Sequence, residues 1–172
     1  MAKMVFLLDT NIVSLAGLRK PPPTLRPWLK AVGANSLALS FPVISELRRG
    51  AHLAAATNPE KAQRLTEWID AILSVGFQTA QVTNEYCDLY AKMTVTPQLR
   101  GFMAVNPNQK RPRLSHDLMI AALAIANSMP IATCDRRDFA LIDNYFPLPG
   151  VFDPPTPYPS QRYSLVRAGI GG

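Results

Sequence analysis

Residues 4–13 read MVFLLDTNIV. A short apolar run of β-forming side chains stops at Asp9, and Asp9, Thr10 and Asn11, all helix-capping types, lead into a new apolar segment. The stretch therefore reads as strand, then carboxylate, then helix. The rest of the chain repeats this alternation.

Outward from this unit, a helix over 12–18 closes near Gly17, and Pro21, Pro22 and Pro23 break the chain before a second short helix over 25–32. Residues 36–40 (SLALS) read as a buried strand, and Pro42 sits in the first turn of a helix running to about residue 56, with Glu46 one turn in. Asn58 caps the next helix and Pro59 opens it; Leu65, Ile69, Ile72 and Leu73 give it an apolar stripe suited to a core or a partner interface. A weaker strand over 77–82 precedes a helix over 84–94. Residues 96–113 carry prolines, a glycine, Lys110, Arg111 and Arg113, and read as a long basic loop.

Helical periodicity returns over 114–127 (LSHDLMIAALAIAN), with Ser115 as the expected N-cap. Residues 129–133 (MPIAT) form a fourth strand that leads to Asp135, a helix over 139–144 follows, and residues 151–152 add an edge strand. From Asp153 onward, prolines, arginines and glycines appear without any period. The chain thus divides into one domain over 1–152 and a tail over 153–172. The order of elements calls for an α/β fold, a three-layer α/β/α sandwich around a mainly parallel sheet. In such sheets the crevice lies outside the carboxyl ends of the strands, which is where Asp9 and Asp135 fall.

A length of 172 residues with 48% hydrophobic side chains suits a single folded domain. No apolar run approaches the roughly 20 residues that span a bilayer, and the N-terminus lacks a signal-peptide pattern, so a cytoplasmic protein is expected. Only Cys87 and Cys134 are present, which excludes a disulfide framework and a thiolate metal cage; Cys134 is expected to be a small buried hydrophobe. The net charge of +6 favours a polyanionic partner.

Of only 12 acidic residues, Asp9 and Asp135 follow buried strands, Asp117 lies in the first turn of the most apolar helix, and Glu46 lies near the start of the helix after the second strand. Each alone is explained by capping, by the helix dipole or by a local ion pair. Together, carboxylates at the rim of a core require compensation, because burying an unpaired charge costs several kcal/mol. Mg²⁺ or Mn²⁺, which prefer oxygen ligands, would supply it and would also activate water for attack on phosphorus.

The strings FLLDTNIV, FPVISELRRG, LSHDLMIAALA and IATCDRRDF, in this order, resemble the acidic motifs of PIN-domain ribonucleases, especially the VapC-type toxins of bacterial toxin–antitoxin pairs. The resemblance covers about residues 3–152. It implies that Asp9, Glu46, Asp117 and Asp135 bind metal, with Asp138 as an additional ligand through water or a support for Asp135. It implies supporting roles for Thr10, Asn11 and Thr133. It also implies endonucleolytic cleavage of RNA with Mg²⁺ or Mn²⁺, a homodimer, and inhibition by a cognate antitoxin. The loop over 96–113 and the tail after Asp153 depart from a compact member of that family.

An acidic pocket repels a phosphate backbone unless cations flank it. The rim candidates for RNA are Arg48, Arg49, Lys110, Arg111, Arg113, Arg136 and Arg137. His116, beside Asp117, reads as structural, as lone histidines usually are. Two other functions are compatible with a similar sheet. An aspartyl-phosphate phosphohydrolase would place a second aspartate where Asn11 stands; a non-catalytic RNA- or protein-binding module has no need of the carboxylate cluster.

Overall fold

Short apolar runs make short strands, and each is followed at once by a helix-starting residue. A computed structural model describes residues 4–103 and 116–154. The elements are β1 (Phe6–Leu8), α1 (Thr10–Ala16), α2 (Leu25–Val32), β2 (Leu37–Leu39), α3 (Phe41–Ala55), α4 (Pro59–Ser74), β3 (Gln78–Thr79), α5 (Asn84–Val95), α6 (His116–Ala126), β4 (Ile131–Ala132), α7 (Arg136–Asp143) and β5 (Val151–Phe152). Short 3₁₀ turns occupy Ala34–Ser36 and Pro97–Phe102.

The five strands form one parallel sheet in the order β3-β2-β1-β4-β5, flanked by helices. β1 is central because its side chains can be buried on both faces; Leu7 pairs with Ala38 of β2 and with Ile131 of β4 and is fully buried. The chain steps from β1 to β2 and β3 on one side, then crosses to β4 and β5 on the other. The boundary between β1 and β4 is therefore the topological switch point, where the connections diverge to opposite sides and leave a crevice at the carboxyl edge. α2 is anchored by Trp28, which stacks on Phe152 at 5.3 Å and meets Phe6 edge-on at 5.6 Å.

Several boundaries differ from the sequence expectation for local reasons. α7 begins at Arg136, before the expected residue 139, because the Asp135 side chain caps it by accepting from the Asp138 N–H. The segment after α5 is not all loop: Leu99 is fully buried, and this contact organises the 3₁₀ turn. On α4 the buried residues are Ala62 and Ile69, whereas Leu73, expected in the apolar stripe, is exposed. Cys134, expected to be buried, is exposed, because it lies just beyond β4, past the protection of neighbouring strands. Ser115, Lys110, Arg111, Arg113 and the tail from residue 155 lie outside the described residues. Among the described residues no helix is long and apolar enough to cross a membrane.

α1 approaches α4 closely at Gly17. A methyl group at Gly17, the C-cap of α1, would overlap the Trp68 indole. Gly17→Ala is expected to cost about 1–3 kcal/mol as an overpacking change. Adding Trp68→Leu should recover part of that loss; strictly additive effects in denaturant unfolding would show that the two residues do not meet.

Candidate active site

The end of β1 and the end of β4 are adjacent in register, since Leu8 pairs with Ala132. Asp9 and Thr133 therefore leave the sheet side by side. The Asp9 N–H donates to the Ala132 carbonyl at 2.9 Å, extending the ladder one step beyond the strand. Asp9 is only 5% exposed.

Its carboxylate is surrounded by donors. Oδ1 accepts from the Thr10 N–H at 2.7 Å, and Oδ2 accepts from Asn11 Nδ2 and from Thr133 Oγ1, each at 2.7 Å. Thr133 Oγ1 also accepts from Asn11 Nδ2 at 3.1 Å and from the Asp135 N–H at 2.8 Å. Asn11 Oδ1 completes the network by accepting from the Cys134 N–H. The residues read from sequence as capping or supporting groups thus do both jobs: Asp9 caps α1, and Thr10, Asn11 and Thr133 hold its carboxylate in one orientation.

Burial pushes the Asp9 carboxyl up to about 6. The hydrogen bonds from Thr133 and Thr10 oppose this rise, and the negative charges of Glu46 and Asp135 add to it. Those two carboxylates therefore lie close enough for Asp9 to feel their charge. Glu46, on α3, accepts from Thr10 Oγ1 at 2.7 Å and lies 3.3 Å from His116 Nδ1, both on its Oε2. The His116 hydrogen bond is the main reason its carboxyl is held below the usual range; burial opposes, while Thr10 and the charges of His116 and Arg49 help.

The structure groups Asp9, Glu46 and Asp135 at the carboxyl edge, with Asp117 on the first turn of α6 beside His116 and Asp138 on the first turn of α7. Among the described residues, no three His, Cys, Asp or Glu side chains converge closely enough to hold a metal ion as they stand. Of the rim cations, Arg49 acts on Glu46, while Arg48 pairs with Asp70 of α4 and ties α3 to α4. Arg136 and Arg137 are exposed at the start of α7. The partial burial of the exposed Cys134, together with the charges of Asp153, Asp9 and Asp135, pushes its thiol up to about 11, so it stays protonated at neutral pH.

His116, read from the sequence as structural, meets Glu46 of α3, a contact that the sequence did not indicate. The only signal for it was its position beside Asp117 in the first turn of α6, and nothing local indicates that α6 meets α3 there.

A doubly wound parallel sheet with an acidic crevice at its switch point defines the class. Residues 6–145 match the PIN domain, and the chain belongs to that family. Among its relatives, a plasmid stability protein, StbB, of Pseudomonas syringae pv. tomato is 28% identical over 142 residues, covering 78% of this chain and 91% of that protein. The crystal structure of FitAcB from Neisseria gonorrhoeae superimposes with a TM-score of 0.63 at 25% identity, covering 87% of this chain and 98% of that one. VapBC-5 of Mycobacterium tuberculosis, a member of the VapBC family of toxin–antitoxin systems, shares the fold with a TM-score of 0.55 at 23% identity, covering 87% and 98%. Sequence and structure thus place the chain among PIN-domain proteins, with StbB and FitAcB among its relatives.

Two expectations follow from the Asp9 network. A carboxyl with a raised folded-state pKa keeps its proton between about pH 4 and 6, where the unfolded chain has already lost it, so metal-free stability falls as pH rises through that window and then levels off. Unfolding free energies of the parent and Asp9→Asn, compared across pH without metal, should shift in favour of the variant by up to about 3 kcal/mol between pH 4 and 7. A pH-independent difference would contradict the raised pKa. Thr133→Val, which keeps the shape and removes the hydroxyl, is expected to destabilise the fold by about 1–3 kcal/mol in the same assay, because it strands the groups that the hydroxyl serves.

Proposed function

We propose that this protein is a Mg²⁺- or Mn²⁺-dependent endoribonuclease, the toxin of a toxin–antitoxin pair, acting in the cytoplasm as a homodimer. The observation that carries this reading is the Asp9 carboxylate at the switch point, held by donors on both oxygens and pushed up chiefly by its burial, with a further contribution from its carboxylate neighbours. A structural aspartate in a dry site would be paired with a cation of the chain; here the hydrogen-bond donors orient the charge without neutralising it.

The donor chemistry fits a hard divalent cation, although the described side chains are not drawn into a ready-made cage. Asp9, Glu46, Asp117 and Asp135 would hold it, with Asp138 contributing through water or by orienting Asp135. When bound, such an ion supplies a polarised phosphoryl oxygen and a water of lowered pKa for attack on phosphorus. The chain's own residues do the positioning: Thr10, Asn11 and Thr133 orient Asp9, and Thr10 orients Glu46. Arg49, Arg136 and Arg137, with Arg48, are the described cations that would flank the RNA backbone, and the proposal extends to Lys110, Arg111 and Arg113, which lie outside the described residues. A cognate antitoxin is the inhibitory partner, a reading supported by the toxin–antitoxin relatives.

Asp9→Asn should reduce metal-dependent cleavage of RNA by at least about a hundredfold, the scale on which removing a first ligand or its orienting shell acts, while leaving RNA affinity in a binding assay nearly unchanged. A variant that cuts RNA in Mn²⁺ as fast as the parent would overturn the assignment. RNA binding with no cleavage by the parent itself would favour a non-catalytic module.

A further inference from the structure

We propose that His116 is a positioning residue for Glu46, clamping one oxygen of that carboxylate so that the other is presented to the crevice. The inference rests on the metal-dependent nuclease reading and concerns a residue outside the acidic set.

The geometry begins with the length of the side chain. Glu46 has three rotatable bonds, its side chain is 44% exposed, and freezing it has an entropic cost that one contact rarely offsets. Two contacts from two other helices meet on the same atom. Thr10 Oγ1, at the start of α1, donates to Oε2 at 2.7 Å, and His116 Nδ1, at the start of α6, lies 3.3 Å from that oxygen.

A carboxylate accepts only, so His116 must carry a proton on Nδ1 for this contact to form. Thr10 alone would leave the carboxylate free to pivot about one hydrogen bond. The second anchor, from a different helix, restricts that pivot. Among the described residues, Oε1 accepts no hydrogen bond and is left available.

The imidazole is itself well held. Its side chain is only 16% exposed, and it sits on the first turn of α6, the most heavily buried of the described helices. α3 and α6 pack against each other. A rigid helix therefore sets the imidazole position, which is what a supporting shell requires to act on an oxygen donor. It also joins the two motifs that carry Glu46 and Asp117, so that α3 and α6 are brought to the crevice in one register.

A packing role alone would be satisfied by bulk, and a positioning role needs a donor at Nδ1. His116→Asn places an amide N–H near the Nδ1 position, His116→Gln places it about one bond too far, and His116→Leu retains bulk without a donor. Mn²⁺ binding to the metal-free protein, followed by calorimetry, should weaken about tenfold or more in His116→Leu and His116→Gln and recover most of that loss in His116→Asn. Cleavage rates at saturating Mn²⁺ should follow the same order with smaller changes.

Parent-like Mn²⁺ affinity in His116→Leu would refute the proposal, as would equal losses in the Asn and Gln variants. If His116→Leu fails to fold, the Asn and Gln pair decides. Asp9→Asn run alongside separates the two levels: if it too binds Mn²⁺ and cuts RNA like the parent, the metal site assigned around Asp9 fails and this inference with it. If Asp9→Asn loses both properties while the His116 variants keep them, only the role of His116 falls.

Discussion

The Thr133 hydroxyl donates to Asp9 Oδ2 and accepts from Asn11 Nδ2 and from the Asp135 N–H, so one oxygen ties the end of β1 to the end of β4. A hydroxyl has one proton and two lone pairs, and all are used here. The carboxyl edge depends on this tie. β1 and β4 are joined by only short ladders, and beyond them the chains diverge into α1 and α7. Without a link past the last strand pair, the two segments that carry Asp9 and Asp135 would be set only by the helices they enter.

The same tie explains how a carboxylate can be buried at the switch point of a parallel sheet. The apolar core on either side of β1 gives Asp9 a dry setting, and that setting raises its carboxyl. Hydrogen bonds lower the cost without removing it. Glu46 is in the opposite condition: half exposed, anchored by Thr10 and His116, and held in its charged form. Two carboxylates near each other with their tendencies pushed apart is a common signature of a functional crevice.

Helix placement follows from the need to deliver these groups. Gly17 lets α1 lie against Trp68 of α4, the Arg48–Asp70 pair links α3 to α4, and α6 meets α3 where His116 reaches Glu46. α1, α3 and α6 all begin at the carboxyl edge, so their first turns point positive helix ends toward the acidic residues, an arrangement that partly offsets their mutual repulsion.

The sequence alone determined the order of elements, the parallel sheet, and Asp9 and Asp135 at strand ends, because these are set by local periodicity, by capping residues and by the breaks at Pro21–Pro23 and Pro42. Through its resemblance to PIN-domain motifs it also implied Thr10, Asn11 and Thr133 as supports. Only the tertiary structure decided that Cys134 is exposed and that His116 touches Glu46. The physical reason is separation along the chain. His116 and Glu46 lie 70 residues apart, and Thr133 and Asp9 lie 124 apart. Periodicity shows which face of a helix is buried; it does not show which helix will lie opposite, and contacts between polar side chains leave no period to read.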